Sequence, residues 1–446
     1  MTGKRLWKLC LANAFAMKIN IITLGCSKNL VDSEYLLQQF KANGHTVYHD
    51  EYELAADVVI LNTCGFILDA KQESIDTILH YLQLKSAGLV QRVIVMGCLS
   101  ERYREELTNE MPEVDGFFGV WDHKEIVGAV GSEYYPEFVN DRLTTTPSHY
   151  AFLKISEGCD RACSFCAIPG IRGAQRSRSI EDLVDEAENL SGRGAREMIL
   201  IAQDLTNYGT DIYSKKGLPE LIRSLVKIED IDWVRMHYAY PTGFPLSVIE
   251  LMAQESKICN YMDIPIQHIN DRILMGMNRG HSRKKLEELL YSFRDKVPDV
   301  ALRTTLLVGY PGETDAEFEE LYDFIKHFRF DRLGVFPYSH EEKTPAGDEL
   351  EDDIPEDVKQ ERVDRIMHLQ QEISMDLNRS RIGKEFRVLI DEMEDDFYIG
   401  RTEYDSPEVD NNVLISNDQT LKVGEFYTVR ITDAQEFDLF GEIISQ

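Results

Sequence analysis

From residue 18 to about 135, short apolar runs alternate with stretches of helical periodicity: "KINIITLGC" precedes a helix near 31–43, "DVVILNTCG" one near 69–87 and "RVIVMGC" one near 99–110. Runs of this length, each followed by an apolar repeat of three to four residues, predict βαβ units and an open parallel sheet. The pattern breaks around "EYYPEFVNDRLTTTPSHY", which predicts a linker at 136–148. Six further strand candidates follow ("YAFLKIS", "EMILIAQD", "WVRMHYAY", "YMDIPIQ", "LRTTLLVGYP", "RLGVFPYS"), each separated by helical sequence. Six βα repeats predict a partial (β/α)6 barrel in place of a second open sheet. After Pro355, the residues Val363, Ile366, Met367, Ile373 and Leu377 recur at helical spacing and Gly383 stands beyond the end, which predicts a connecting helix. From 385 onward short strands dominate, as in "EFRVLIDEM" and "EFYTVRITDA", and predict a five-stranded antiparallel β-barrel of the OB type. The expected α/β organisation is therefore an extension at 1–16, an N-terminal domain at 17–135, the linker, a barrel domain at 149–376 and a small barrel at 377–446.

Composition adds limits to this picture. A chain of 446 residues is too long for one core, and 43% hydrophobic with 28% charged residues suits a soluble protein of two or three domains. No apolar run approaches the roughly 20 residues that a membrane span needs. The opening "MTGKRLWKLCLANAFA" has a weak likeness to a secretory signal, but "MKINIITLGC" from Met17 reads as the start of a first strand, which leaves Cys10 without a role. Net charge is -30, which repels phosphate at long range and favours a basic protein partner over a nucleic acid. Eight cysteines are too few for a disulfide framework in a chain of this length, and they read as ligands in a reducing cytoplasm.

The chemistry concentrates in "SEGCDRACSFCAIP", where Cys159, Cys163 and Cys166 stand at i, i+4 and i+7. A structural zinc site closes with four ligands and would need a distant fourth, Cys259 or a histidine. A four-iron cluster held by three thiolates leaves one iron open for another ligand. The CxxxCxxC spacing with Phe165 before the last cysteine resembles the radical S-adenosylmethionine (SAM) enzymes. That resemblance implies SAM on the open iron, reductive cleavage to a deoxyadenosyl radical, and Phe165 beside the adenine. "LLVGYPGET", with Gly309 and Glu313, is similar to the superfamily's glycine-rich stretch after the fifth strand. "IAQDLTNYG" and "IPIQH" offer Gln203, Asp204 and Gln267 at the barrel mouth, and "RGAQRSRS" gathers Arg172, Arg176 and Arg178 just past the cysteines. A solvated basic loop and attraction to an anionic cluster are both open for these arginines.

Cys26, Cys64 and Cys98 each end a strand of the N-terminal domain, flanked by glycine in "LGCSKN", "NTCGF" and "MGCLS". One such cysteine alone is ordinary core filling. Three at the same topological place are different, because the carboxyl ends of adjacent strands lie only about 5 Å apart and form the usual ligand crevice of an open sheet. Again the count is three, which predicts a second cluster with an open iron.

Two such triads followed by a small barrel resemble the radical SAM methylthiotransferases, whose parts are a methylthiotransferase domain, a radical SAM domain and a C-terminal TRAM domain. The resemblance implies two [4Fe-4S] clusters, SAM as radical source and methyl donor, and an electron donor of the flavodoxin or ferredoxin type. The family divides into transfer-RNA enzymes acting on adenosine and a branch acting on the β-carbon of an aspartate in protein twelve of the small ribosomal subunit. Ser27-Lys28 after the first Gly-Cys, and Asp160-Arg161 inside the second motif, look like the ribosomal-protein branch. Residues 376–446 carry a net charge of -10, which suits a basic ribosomal protein and disfavours RNA phosphates. The alternative is a transfer-RNA adenosine methylthiotransferase. A non-catalytic iron–sulfur module explains neither open iron.

Overall fold

A computed structural model describes residues 16–445. Cys10 and the signal-like opening lie outside the described residues. By packing, the chain divides into two compact units: residues up to Thr145 with Gly158–Asp160 and Ala167–Ala174, and Thr146–Glu157 with Arg161–Cys166 and everything from Gln175.

The first unit is built on a five-stranded sheet with the order β2-β1-β3-β4-β5. Its strands are β1 (Lys18–Thr23), β2 (Thr46–His49), β3 (Ala56–Thr63), β4 (Val90–Gly97) and β5 (Gly116–Phe117), and all pair in parallel. Helices α1 (Ser27–Ala42), α2 (Leu68–Ser86) and α3 (Cys98–Glu110) follow the three cysteine-bearing strands, close to the expected spans. The short strand β2 was not anticipated, because "TVYH" at the edge is half exposed and carries no apolar run. The central strands are apolar on both faces: Ile22, Val59, Leu61, Val93 and Val95 pack on one side, and Ile19, Ile21, Val58, Ile60 and Ile94 on the other. Helix α4 (His123–Ala129) adds Ile126 and Val127 to the second layer. The short helix α5 (Ile168–Arg172) also belongs to this unit, with Ala167 and Ile171 packed on Cys98 and Val120.

In the second unit, β6 (Tyr150–Lys154), β9 (Glu197–Ile201) and β10 (Trp233–Met236) form one parallel sheet. Strands β11 (Tyr261–Asp263), β12 (Ala301–Val308) and β13 (Arg332–Pro337) form another, and the bridge Val234–Ile258 links the two into the partial barrel. A small hairpin of β7 (Ser156–Glu157) and β8 (Arg176–Ser177) stands beside the first strand. Alternation sorts the strands. Ala151, Leu153, Met198, Leu200, Val234, Met236, Met262 and Leu302 face the helices, and Lys154, Glu197, Arg235, Asp263 and Arg303 face inward. The 24-residue connecting helix α6 (Glu356–Arg379) packs Ile366, Leu369 and Ile373 into the same core.

The last five strands, β14 (Glu385–Glu394), β15 (Phe397–Arg401), β16 (Asn412–Ser416), β17 (Phe426–Ala434) and β18 (Asp438–Ser445), close a barrel in the order β14-β15-β16-β18-β17. It is not wholly antiparallel as expected: β16 and β18 pair in parallel, from Asn412–Asp438 to Ile415–Gly441. Its β15–β16 loop and the adjoining Arg401 are fastened to polar residues on or beside the larger barrel's strands. Arg401 and Arg235 share Glu197 at 2.8 and 2.6 Å, Asp410 takes Arg303 at 2.6 Å, Asp405 pairs with Arg332, and Ser406 meets His237 at 2.8 Å. Part of the acidity counted from the sequence is therefore internal. The exposed remainder includes Glu392, Glu394, Asp395 and Asp396 at the β14–β15 turn. No helix among the described residues is long and apolar enough to cross a membrane.

Candidate active site

The first unit brings its three cysteines to one edge. Cys26 is the N-cap residue of α1, Cys64 directly follows β3, and Cys98 opens α3 directly after β4. Glycines make that convergence sterically feasible. A Cβ on Gly25, at φ +92°, would stand 2.8 Å from Cys64 Cβ and 3.1 Å from its sulfur. One on Gly65 would lie 2.7 Å from the Leu99 backbone, and one on Gly97, at φ +97°, would lie 2.5 Å from Asn62 Oδ1 and the Thr63 carbonyl. Each glycine thus lets one strand end approach the next, which a methyl group would prevent.

Beneath the thiols runs a buried polar network. Asn29 donates to the Leu24 carbonyl at 2.9 Å and the Thr63 carbonyl at 3.2 Å, and Asn62 donates to the Asn29 carbonyl at 2.8 Å and Ser33 Oγ at 3.0 Å. Arg172, on α5, donates from Nη2 to Asn29 Oδ1 at 2.5 Å and to Cys98 Sγ at 3.3 Å. The thiols differ in character. Cys26 is exposed as a residue; desolvation of its sulfur by the surrounding protein would raise it, but the charges of Lys28 and Arg172 and the amides of Asn29 and Lys28 outweigh it and leave that thiol lowered. Burial raises Cys64, and it pushes Cys98 up to about 12 against the opposing pull of Arg172. Among the described residues no three Cys, His, Asp or Glu side chains already converge at metal-ligand spacing. The apposed strand ends, the soft donor set and the glycine cradle fit an iron–sulfur group.

Cys159 lies in the first unit, where its amide donates to the Gly173 carbonyl at 3.0 Å; in the second unit, the stretch holding Cys163 and Cys166 is pinned at Ser164, whose amide donates to the Met277 carbonyl at 3.1 Å and whose hydroxyl donates to the Gly276 carbonyl at 2.8 Å. Ser164 also returns its carbonyl to the Ala346 amide at 2.8 Å. Phe165 packs with Ile273, Met277, Tyr310 and Tyr338. Cys163 is buried, with its sulfur 3.2 Å from Arg279 Nη1 and 3.6 Å from Tyr240 Oη. The Tyr240 ring lies between two guanidinium groups, Arg161 and Arg279, each 4.2 Å from its centroid. Nothing in the sequence singles out Tyr240 and Arg279. Their only signal was the aromatic and basic content of "MHYAYP" and "MNRGH", which is common in loops.

The expected mouth residues have divided fates. Gln203 donates to Glu157 at 2.5 Å, while its Oε1 is buried without a hydrogen-bond partner, as a ligand-accepting oxygen would be. Gln267 stands four residues beyond β11, bridged to Leu306 of β12, with φ +71°, an uncommon backbone state for a non-glycine residue. Asp204 binds Arg161 Nε at 2.7 Å and caps Thr206 at 2.8 Å. Glu313 accepts from the amides of Gly309 and Tyr310 at 2.7 and 3.2 Å and pairs with Arg362 at 3.2 Å. Burial pushes it up to about 7 in spite of those partners. Gly309, at φ +73°, abuts Lys359, so this turn is closely packed by protein. The basic loop separates as well: Arg172 is buried in the first unit, Arg178 pairs with Glu186, and Arg176 is exposed. Cys259 cannot supply a fourth thiolate to the loop. It lies just before β11, at the amino ends of the strands, buried with Trp233 and Phe426.

Three family models match separate stretches of the chain. Residues 18–119 match the family described as uncharacterized protein family UPF0004, residues 153–325 the radical SAM superfamily, and residues 382–444 the TRAM domain. A relative from Flavobacterium psychrophilum named ribosomal protein uS12 methylthiotransferase RimO is 56% identical over 95% of this chain and 98% of its own. One of the same name from Parabacteroides distasonis is 50% identical over 96% and 99%. Among solved structures, the radical SAM methyltransferase TsrM from Kitasatospora setae superposes with a TM-score of 0.55 at 14% identity, covering 75% of this chain and 77% of that one. The cobalamin-dependent SAM radical enzyme OxsB gives 0.52 at 11% identity, covering 79% and 56%. These two likenesses concern the fold alone. With sequence identity of this order along nearly its whole length, the chain belongs to the ribosomal protein uS12 methylthiotransferases, a family of radical SAM enzymes.

Proposed function

We propose that the protein replaces one hydrogen on the β-carbon of an aspartate in ribosomal protein uS12 with a methylthio group, in the cytoplasm, using SAM and two [4Fe-4S] clusters. The observation that carries this reading is the second cysteine triad. A radical SAM enzyme needs only Cys159, Cys163 and Cys166, whereas Cys26, Cys64 and Cys98 stand at neighbouring strand ends that three glycines allow to approach one another. What the bound groups supply is one-electron cleavage of SAM and a site for the incoming sulfur. An unactivated C–H bond requires such chemistry, because no side chain deprotonates it near neutral pH.

The chain's own residues then divide the work. Cys159, Cys163 and Cys166 hold the first cluster, and Arg279 places a positive charge at the Cys163 sulfur. Gln203 offers its open Oε1 to a hydrogen-bond donor of SAM, and Phe165 gives an apolar wall beside it. Gly309 and Gln267 shape the rim through their backbone, and Asp204 and Glu313 act by holding Arg161 and the Gly309–Tyr310 turn. Cys26, Cys64 and Cys98 hold the second cluster. The exposed acids Glu392, Glu394, Asp395 and Asp396 favour a basic protein as substrate over transfer RNA. A small redox protein of the flavodoxin or ferredoxin class supplies the electrons.

Deleting the gene and comparing tryptic peptides and digested transfer RNA by mass tests this. The expected result is loss of the methylthio group from a uS12 peptide with transfer RNA unchanged. The reverse result would transfer the assignment to the adenosine-modifying branch.

A further inference from the structure

Arg172 stands six residues beyond Cys166 in the chain, yet its side chain is only 2% exposed and lies among the N-terminal cysteines' supports. Its position is over-determined. The α5 helix that carries it is anchored by Ala167 and Ile171 against Cys98 and Val120, and Pro169 starts that helix. Its Nη2 reaches both Asn29 Oδ1 at 2.5 Å and Cys98 Sγ at 3.3 Å, and its Nη1 faces Asp32 Oδ2 at 3.4 Å. Asn29 is in turn fixed by the carbonyls of Leu24 and Thr63, each a residue or two from a cysteine. The guanidinium is therefore aimed at one sulfur of the triad, with its orientation set by an amide and a carboxylate.

Burying a guanidinium is expensive unless charge and hydrogen bonds compensate it, and a plain tether between α5 and α1 needs no contact with sulfur. A thiolate shell around iron is strongly anionic, and cationic hydrogen-bond donors to ligating sulfur stabilise the reduced form and orient the ligand. We propose that Arg172 is a positioning residue for the sulfur-side cluster, holding Cys98 in its ligating orientation and raising the reduction potential of that cluster. The proposal rests on the two-cluster reading above. It also implies that the electronic state of the second cluster depends on the segment that directly follows the first cluster's last cysteine.

The test uses the full chain carrying Cys159→Ala, Cys163→Ala and Cys166→Ala, so that only the N-terminal triad can hold iron. After anaerobic reconstitution, iron per chain and the midpoint potential by EPR-monitored titration are measured with Arg172 intact, with Arg172→Lys and with Arg172→Met. The expected outcome is a cluster in each, with the reduced-to-oxidised ratio at fixed potential about tenfold lower in Arg172→Met, equivalent to about 59 mV for a one-electron couple. Arg172→Lys, which keeps the charge and loses the fork, should fall between. Full iron with an unchanged potential in Arg172→Met overturns the proposal. If Arg172→Met does not fold, Arg172→Lys decides alone: a shifted potential supports the proposal and an unshifted one overturns it. Absence of any cluster with Arg172 intact instead overturns the two-cluster reading itself.

Discussion

The two cysteine triads are assembled by opposite routes. Cys159, Cys163 and Cys166 are neighbours in sequence: Ser164 fixes the stretch around Cys163 and Cys166 against Gly276 and Met277, and the Cys159 amide donates to the Gly173 carbonyl at 3.0 Å. Cys26, Cys64 and Cys98 are up to 72 residues apart, and only the parallel register of β1, β3 and β4 makes them neighbours. Each triad nevertheless has one sulfur in reach of an arginine, Cys163 with Arg279 at 3.2 Å and Cys98 with Arg172 at 3.3 Å. The local triad depends on turn geometry, and the dispersed triad depends on the whole sheet.

Replacing the cysteines separates the two most sharply. Alanine at Cys159, Cys163 or Cys166 should abolish deoxyadenosine formation and, with it, methylthio product. Alanine at Cys26, Cys64 or Cys98 should leave deoxyadenosine formation while reducing methylthio product to background. Both are read by chromatography of one reaction mixture under reducing, anaerobic conditions. Normal product from the N-terminal variants would reduce that triad to core packing.

The glycines break the comparison at its geometric root. Gly97→Ala places a methyl group 2.5 Å from the Thr63 carbonyl at a backbone angle that disfavours side chains, a cost of about 2–4 kcal/mol. The strain falls between β3 and β4, so iron at the dispersed triad should be lost before SAM cleavage is. Gly158→Ala, where the new carbon would meet Ala174 O at 2.3 Å, should show the opposite order. Iron counts and deoxyadenosine yield on the same preparations check both.

This contrast also explains what could be read from the sequence. The radical SAM superfamily was legible because the CxxxCxxC spacing stands in the sequence itself. The place of Cys26, Cys64 and Cys98 at neighbouring strand ends was legible because each follows a hydrophobic run, and strand ends in a parallel sheet coincide. Arg279 and Tyr240 were not legible, since Tyr240 follows β10 and Arg279 follows the short helix Asp271–Gly276, about 40 residues on, and the two meet only through the tertiary fold. The charge of the C-terminal barrel was half legible. Counting acids along the chain cannot tell Asp391, which accepts from Arg401 at 2.5 Å and meets His149 at 2.8 Å, from its neighbour Glu392, which is exposed. The parallel β16–β18 pair was illegible for a similar reason, because strand direction within a closed barrel is set by loop routing and leaves no mark on alternation.

A gentler change sharpens the parallel between the two arginines. Arg279→Lys keeps a positive charge near Cys163 but loses the fork that also holds the Pro265 carbonyl at 2.6 Å. SAM cleavage should slow about tenfold, or ~1.4 kcal/mol in barrier, with iron content unchanged. Initial rates of deoxyadenosine formation measure it. An effect on sulfur insertion alone would mean that the two arginines do not serve separate triads.

The smallest expected effect concerns charge that lies outside both triads. Reversing Glu392, Glu394, Asp395 and Asp396 to lysine alters a turn whose side chains are exposed, so SAM cleavage and thermal stability should barely change. Capture of a basic ribosomal protein should weaken several-fold at low salt, because long-range attraction raises the association rate. That difference should vanish near 1 M salt, where the Debye length is about 3 Å. The neighbouring change Asp391→Asn should behave in the opposite way, lowering thermal stability through the buried Arg401 and His149 while leaving the salt dependence of capture alone. Association rates by stopped flow across a salt series separate the two. If the quadruple reversal leaves capture unchanged at low salt, this acidic turn is only a solvated face, and substrate selection lies at the barrel mouth.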